Sequence, residues 1–381
     1  MKSIGVNMKK LQIVLLSLVL VSMSMSFSGA HAEDKSQNTE NKGNSNSQVE
    51  EFKGSSIRSH GHPIANLVDA PSAGSKQSQS SFVGNDDENS ELQWQQWNKA
   101  NSKGAAKTIG SAASNPIILH SGGVLGVYTG SVQIIPIWVG TWSADRKAKW
   151  NSILGNLVTS LGSGGINTPN HVFNTNLGYF TSNAPTLTWP QSESAALKAT
   201  GTVKNGLIQV SDANVASYIN LAISSGIVSK GAKPIYVYIG ANNTRLSSGF
   251  GSAYCGWHSI GTLGAKYIPF IAIQDFTSTY QRCSIQTASP NGDYQLDAVA
   301  SILVHEIDEA ITDPDLRTWY DATGAENADK CAWTFTPTFA AKQGGMANFT
   351  ANGVQYLIQR NWLSDNKVKD TTAGTACVIT N

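Results

Sequence analysis

Charge is scarce in this chain. Only 14% of its 381 residues are Asp, Glu, Lys or Arg, 27 of them basic and 26 acidic. That balance gives no electrostatic footing for nucleic acid or an anionic membrane surface as the main partner. Cysteine is scarce too. Four in the whole chain are too few to scaffold a fold of this length, and none stand in the C-x-x-C spacing of a zinc site. The region after residue 115 has no G-x-S-x-G pentapeptide, which removes the strand-to-helix elbow of a Ser-His-Asp hydrolase. The Gly-rich residues 161–165 lack the Lys-Ser/Thr of a phosphate loop. No repeat of fixed period is present. No apolar run approaches the roughly 20 residues needed to span a bilayer. Ordinary apolar material is plentiful, at 40% of residues, enough for one large domain or two smaller ones.

The amino terminus carries an address. Residues 1–10 are basic without an acid, residues 11–21 (LQIVLLSLVLV) are apolar, and Ala30-His31-Ala32 ends the stretch in small-x-small form. This is the pattern of a secretory signal peptide, with cleavage expected after Ala32 and no membrane attachment thereafter. The exported chain then holds 24 basic and 26 acidic residues, a net charge of −2. Export to the extracellular space, a cell wall or the periplasm makes paired cysteines chemically reasonable. Residues 33–115 contain only four aromatics, Phe52, Phe82, Trp94 and Trp97, among Ser, Asn, Gln, Gly and Lys. Such a segment buries too little to offset its conformational entropy and reads as a disordered leader or linker, or as a pro-segment docking through residues 92–97. His60 and His62 form an H-x-H pair that reads as solvated. Residues 116–381 carry the patterning of a packed globular domain.

Within that domain, residues 132–139 (VQIIPIWV) read as a strand in which Pro136 calls for an edge or a bulge. Ser143 caps a helix to about residue 161, with Trp150, Ile153, Leu154, Leu157 and Leu161 at helical spacing. Residues 206–210 read as a short strand, and Ser211 or Asp212 caps a helix through residue 223. Residues 234–240 (PIYVYIG) and 267–274 (YIPFIAIQ) are β-branched and aromatic strands. Residues 297–312 form a helix stopped before Pro314. Strands mixed with helices predict an α/β domain, with α+β as the variant, built on a mixed central sheet with packed helices.

The last helix, DAVASILVHEIDEAIT, carries the chemistry. His305 and Glu309 stand one turn apart, so their side chains can converge on one point, and Glu306 projects at the margin of the apolar arc. H-E-x-x-H offers two zinc ligands and a general base. Here the pattern is H-E-x-x-E, and a carboxylate can also ligate zinc. Third-ligand candidates follow downstream, Glu326 first, then Asp329, then Asp315. The bland alternative is that Ser301, His305, Asp308, Glu309 and Thr312 form the solvated face of an amphipathic helix, with Glu326 and Asp329 favoured by a helix dipole. Cys255 and Cys283 flank the 267–274 strand and can pair, leaving Cys331 with Cys377. Four cysteines allow three connectivities, and the sequence does not choose among them. His258, beside a tryptophan, reads as a packed structural residue, and His120 as a turn residue.

These motifs also carry a family resemblance. Residues 290–293 (PNGD), 305–314 (HEIDEAITDP), 319–321 (WYD) and 326–331 (ENADKC), with 120–123 (HSGG), 137–142 (IWVGTW) and 255–258 (CGWH), resemble the EXORDIUM or phosphate-induced protein family. The matched segments span most of residues 116–381, in the family's order. An additional cysteine that the plant pattern has just before Cys255 is absent. The resemblance implies a secreted, cell-wall-associated protein with a zincin-like core and active-site helix, its metal held by His305, Glu309 and a residue from Glu326 to Asp329. With zinc there, Glu306 would act as general base toward an extracellular peptide. Two carboxylate ligands weaken the cation as a Lewis acid. That favours a slow hydrolase or a structural site, which calcium could also occupy. The competing expectation is a non-catalytic protein that binds cell-wall carbohydrate through some of its ten tryptophans and eleven tyrosines.

Overall fold

In the computed structural model the described residues are the strand 52–58, whose backbone alone is described, and most of 116–379. Residues 162–176, 181–184, 277–282 and 364–376 and a few single or paired positions are excluded. The expected signal peptide, residues 92–97 and the His60/His62 pair lie outside them.

The centre is a six-stranded mixed sheet. Its strands are β1 (Phe52–Arg58), β3 (Ser131–Val139), β4 (Thr186–Thr188), β7 (Pro234–Gly240), β9 (Trp257–Leu263) and β10 (Lys266–Gln274). They lie in the order β1-β9-β10-β7-β3-β4. β4, β3, β7 and β10 run parallel, while β9 is antiparallel to β10 and β1 is antiparallel to β9. β2 (Ile118–Leu119) pairs with β11 (Trp319–Tyr320), and β5 (Val203–Lys204), β6 (Leu207–Val210) and β8 (Thr244–Leu246) form a three-stranded sheet. Strands and helices in a mixed sheet make this an α/β domain, as the element pattern predicts. Every residue of β7 is buried, the signature of a strand covered on both faces.

The prolines in the strands fit their places. β4 pairs only with Ser131–Gln133 of β3, so Pro136 faces β7 alone. Pro269 of β10 pairs with β9 ahead of the point where β7 joins. Each residue lacks an N–H where a second ladder would need one. β1 falls within the segment expected to be a disordered leader. It pairs with β9 through Phe52–Gly54, and again at Arg58 after a register shift. β9 was not foreseen as a strand at all.

Among the described residues three α-helices pack on this frame. α1 (Ala144–Leu161) starts where Ser143 Oγ accepts the Arg146 N–H at 3.3 Å. α2 (Asp212–Ser224) has a full capping box, with Ser211 and Asn214 each accepting from the other's backbone. α3 (Tyr294–Thr312) begins three residues earlier than the apolar pattern suggests. Asp293 is its N-cap, accepting from Leu296 N at 3.1 Å, and Gly292 supplies the positive φ of 68° that turns the chain into it. α3 packs on β9 and β10 and touches α1. Gly256, just ahead of β9, permits this approach, since a Cβ there would lie 2.5 Å from Ile302 Cγ2 and 3.2 Å from Glu306 Oε1.

Arg146 on α1 is bound by Asp275 beyond β10, with Nε–Oδ2 and Nη2–Oδ1 contacts of 2.5 Å. Disulfides join Cys255 to Cys283 and Cys331 to Cys377, one of the three open connectivities. The second closes a small satellite core of Ile117, Tyr179, Trp362 and Leu363.

Candidate metal centre

α3 is buried on all sides, from Leu296 through Thr312. The arc of Ser301, His305, Asp308, Glu309 and Thr312 is therefore not a solvated helix face. A charged arc inside a protein has to be matched by partners, and here they come from three other segments. β9 brings His258, the turn around the short 3₁₀ segment Asp329–Cys331 brings Glu326 and Asp329, and the strand region near residue 360 brings Gln359 and Asn361.

His305 Nε2 lies 3.1 Å from Glu309 Oε1 and 3.5 Å from Asp329 Oδ1. His258 Nδ1 lies 3.4 Å from both Glu306 Oε2 and Glu309 Oε2, and its Nε2 is 3.5 Å from Glu326 Oε1. Glu309 Oε1 also accepts the Asp329 N–H at 3.0 Å. His258, Glu306 and Glu309 are 0% exposed, His305 and Asp329 1%, and Glu326 3%. Two sets of potential ligands result, His305/Glu309/Asp329 and His258/Glu306/Glu309, each with donor atoms within 4.8 Å of one another.

Of the residues singled out from sequence, His305, Glu309 and Asp329 converge directly. Glu326, the first choice of third ligand, stands behind His258. Asp315 lies elsewhere, accepting from Val124 N and Leu125 N with one oxygen and from Thr318 Oγ1 at 3.0 Å with the other. His120 stacks on Tyr320 at 3.6 Å and contacts its carbonyl, a packing role. His258, read as structural, belongs to the cluster. Its signal was present in Cys255-Gly256-Trp257-His258, but nothing in the sequence says which segment lies opposite a strand. Asp308 is fully buried and bound by Asn361 Nδ2, and burial pushes its carboxyl well above the usual range.

Electrostatics follow from burial and proximity. Burial pulls His258 down, but the facing carboxylates of Glu306 and Glu309 outweigh it and hold the imidazole up to about 9. His305 is likewise lowered by burial and raised well above its usual value by Glu309 and Asp329. Burial raises Glu309, but the two histidines outweigh it and hold the carboxyl down to about 2, whereas for Glu306 burial wins and the carboxyl is raised.

Gln359 works against the second proton that these acids favour on His305 and sets the tautomer of the neutral ring. Its Oε1 accepts Trp333 N–H at 3.1 Å, and its Nε2 faces Ala328 O at 2.9 Å and His305 Nδ1 at 2.6 Å. In that orientation Nδ1 accepts, and the proton of the neutral ring sits on Nε2, facing the acids. An imidazolium, or a cation at Nε2, places a proton on Nδ1 and requires the amide to turn over.

These features define an α/β domain with a buried histidine–carboxylate centre and two disulfides. Among the described residues no helix is long and apolar enough to cross a membrane. Among curated proteins, the chain is similar to Protein EXORDIUM-like 3 of Arabidopsis thaliana. They are 24% identical over 298 residues, covering 64% of this chain and 79% of that one. This distant likeness supports kinship with the EXORDIUM family. No protein-family model matches the chain, and no solved structure does.

Proposed function

We propose that the chain is an extracellular protein of the EXORDIUM kind whose buried centre holds a divalent cation, zinc, in a structural role. The observation that carries this reading is the spacing of the donors. Within the two donor sets, three of the four histidine–carboxylate contacts are 3.4–3.5 Å, longer than a charge-assisted hydrogen bond of about 2.8 Å. They match the edge of about 3.3 Å of a tetrahedron whose metal–ligand bonds are about 2.0–2.1 Å. His305, Glu309 and Asp329 are the proposed ligands, with Glu326 steadying the centre through His258. Imidazole nitrogens favour zinc over calcium, which takes oxygen donors.

Burial favours the structural role over peptide hydrolysis. Glu306 occupies the position of a general base, yet it is 0% exposed and turned to His258. A hydrolase needs a substrate carbonyl beside that carboxylate. Every tryptophan among the described residues is buried or half-buried. A cell-wall carbohydrate, the proposed partner class, would therefore be recognised by other side chains.

The test is elemental analysis of the purified, undenatured full-length protein beside His305→Ala, together with casein turnover of the wild type and Glu306→Gln. The reading expects bound zinc that His305→Ala diminishes, and no turnover in either protein. Absence of metal with unchanged stability of His305→Ala defeats it. Turnover lost in a folded Glu306→Gln protein replaces the structural role with the hydrolytic one.

A further inference from the structure

The two oxygens of Glu309 belong to different groups. Oε1 is 3.1 Å from His305 Nε2, on the side of Asp329. Oε2 is 3.4 Å from His258 Nδ1, on the side of Glu306. Oε2 is fully buried and takes part in no hydrogen bond of normal geometry. A carboxylate with its oxygens in two separate donor triads has the arrangement of a bridging ligand, as in two-metal centres whose ions stand about 3.5–4 Å apart.

We infer that the centre holds two divalent cations bridged by Glu309, one with His305 and Asp329, the other with His258 and Glu306. This rests on the cation-binding reading above and extends it. Charge counting points the same way. Glu306, Glu309, Glu326 and Asp329 bring four negative charges, and the two histidines bind metal as neutral rings. Two divalent cations cancel that total, whereas a single one, with the histidine that binds no metal protonated, still leaves one uncompensated charge in a cluster at most 3% exposed. Glu326 fits as the outer partner of the second position, 3.5 Å from His258 Nε2, where a carboxylate orients a metal-bound imidazole through its other nitrogen.

The positions are unequal. Binding at His258 Nδ1 leaves the Nε2 proton facing Glu326 and disturbs no amide. Binding at His305 Nε2 requires Gln359 to turn over, giving up its present contacts with Trp333 N and Ala328 O. In the two-cation centre the His258 position therefore fills first and the His305 position second, which makes the ligands proposed above those of the second ion.

Full-length protein stripped of metal and titrated with zinc tests this. Stoichiometry is read by elemental analysis, affinity by competition with a chromophoric chelator, and ion separation by X-ray absorption. The inference expects two zinc ions per chain filling in two resolved steps. His258→Ala abolishes the tighter step and His305→Ala the weaker one, leaving one ion each. The two-zinc protein shows a metal–metal vector of about 3.5–4 Å. One zinc per wild-type chain, or two without that vector, overturns the inference and leaves the single-cation reading standing. No zinc at all overturns both. Where circular dichroism shows a variant unfolded, the vector in the unaltered protein decides.

Discussion

Stripping the cation should cost this protein stability in proportion to the charge it leaves behind. The donor oxygens of Glu306 and Glu309 lie within 4.8 Å of each other. At an effective dielectric of about 20, two such charges, both ionised, would repel by about 3.5 kcal/mol, before the His258 imidazole that faces both offsets part of it. A structural zinc site binding at about 1 nM would, at about 10 µM free zinc, stabilise the fold by about 5.5 kcal/mol through mass action. Residues 116–381 number 266, and at about 2.1 cal/mol/K per residue their unfolding entropy is about 0.56 kcal/mol/K. The quotient is a rise in Tm of about 10 °C. The assay is a thermal melt of chelator-stripped, full-length protein across a zinc series, with calcium as the comparison ion. A zinc shift below about 2 °C, or one that calcium reproduces in full, refutes the reasoning.

Three other perturbations probe the frame around the centre. Gly256→Ala forces a Cβ against Ile302 and toward Glu306. Overpacking there should cost about 1–3 kcal/mol and lower the zinc content, read by melting and elemental analysis; an unchanged Tm would show that α3 has room to shift. Cys331→Ser opens a loop with a sequence separation of 46, which chain entropy equates to about 4 kcal/mol in denaturant unfolding. Burial raises Asp313 from 3.8 to about 7. Between those values the unfolded chain releases its proton while the folded one retains it, so stability falls as pH rises through that window, by up to about 1.4 kcal/mol per unit. Asp313→Asn should flatten that slope in melts run from pH 4 to 7, and an unaltered slope would assign it to other groups.

The frame was legible where local physics decides it. Ser211 and Ser143 mark helix starts, and β-branched runs mark β7 and β10, because caps and periodicity are properties of neighbouring residues. α3 was legible in type but not in extent. Its first turn depends on Asp293 as N-cap, whereas the apolar pattern that signals the helix starts further in. The centre was half legible. His305 and Glu309 share one helix, so their spacing alone fixes their proximity. His258 reaches them only because β9 lies under α3, a tertiary fact that no window of sequence contains. The amphipathic pattern of α3 also suggested a wet face where the structure buries one. Periodicity reports where apolar residues cluster, not what covers the remainder.

The pairing of β1 with β9 has a consequence for how much of the chain must be kept. Fifty-seven residues separate Arg58 from Pro116, yet Phe52–Arg58 lies along the strand that bears His258. A chain begun at Pro116 would keep every donor of the centre but lay bare the amides and carbonyls along β9. Open sheet margins recruit other strands, commonly those of a second molecule. Trimmed protein should therefore associate with itself in a concentration-dependent way, while the longer form stays monodisperse.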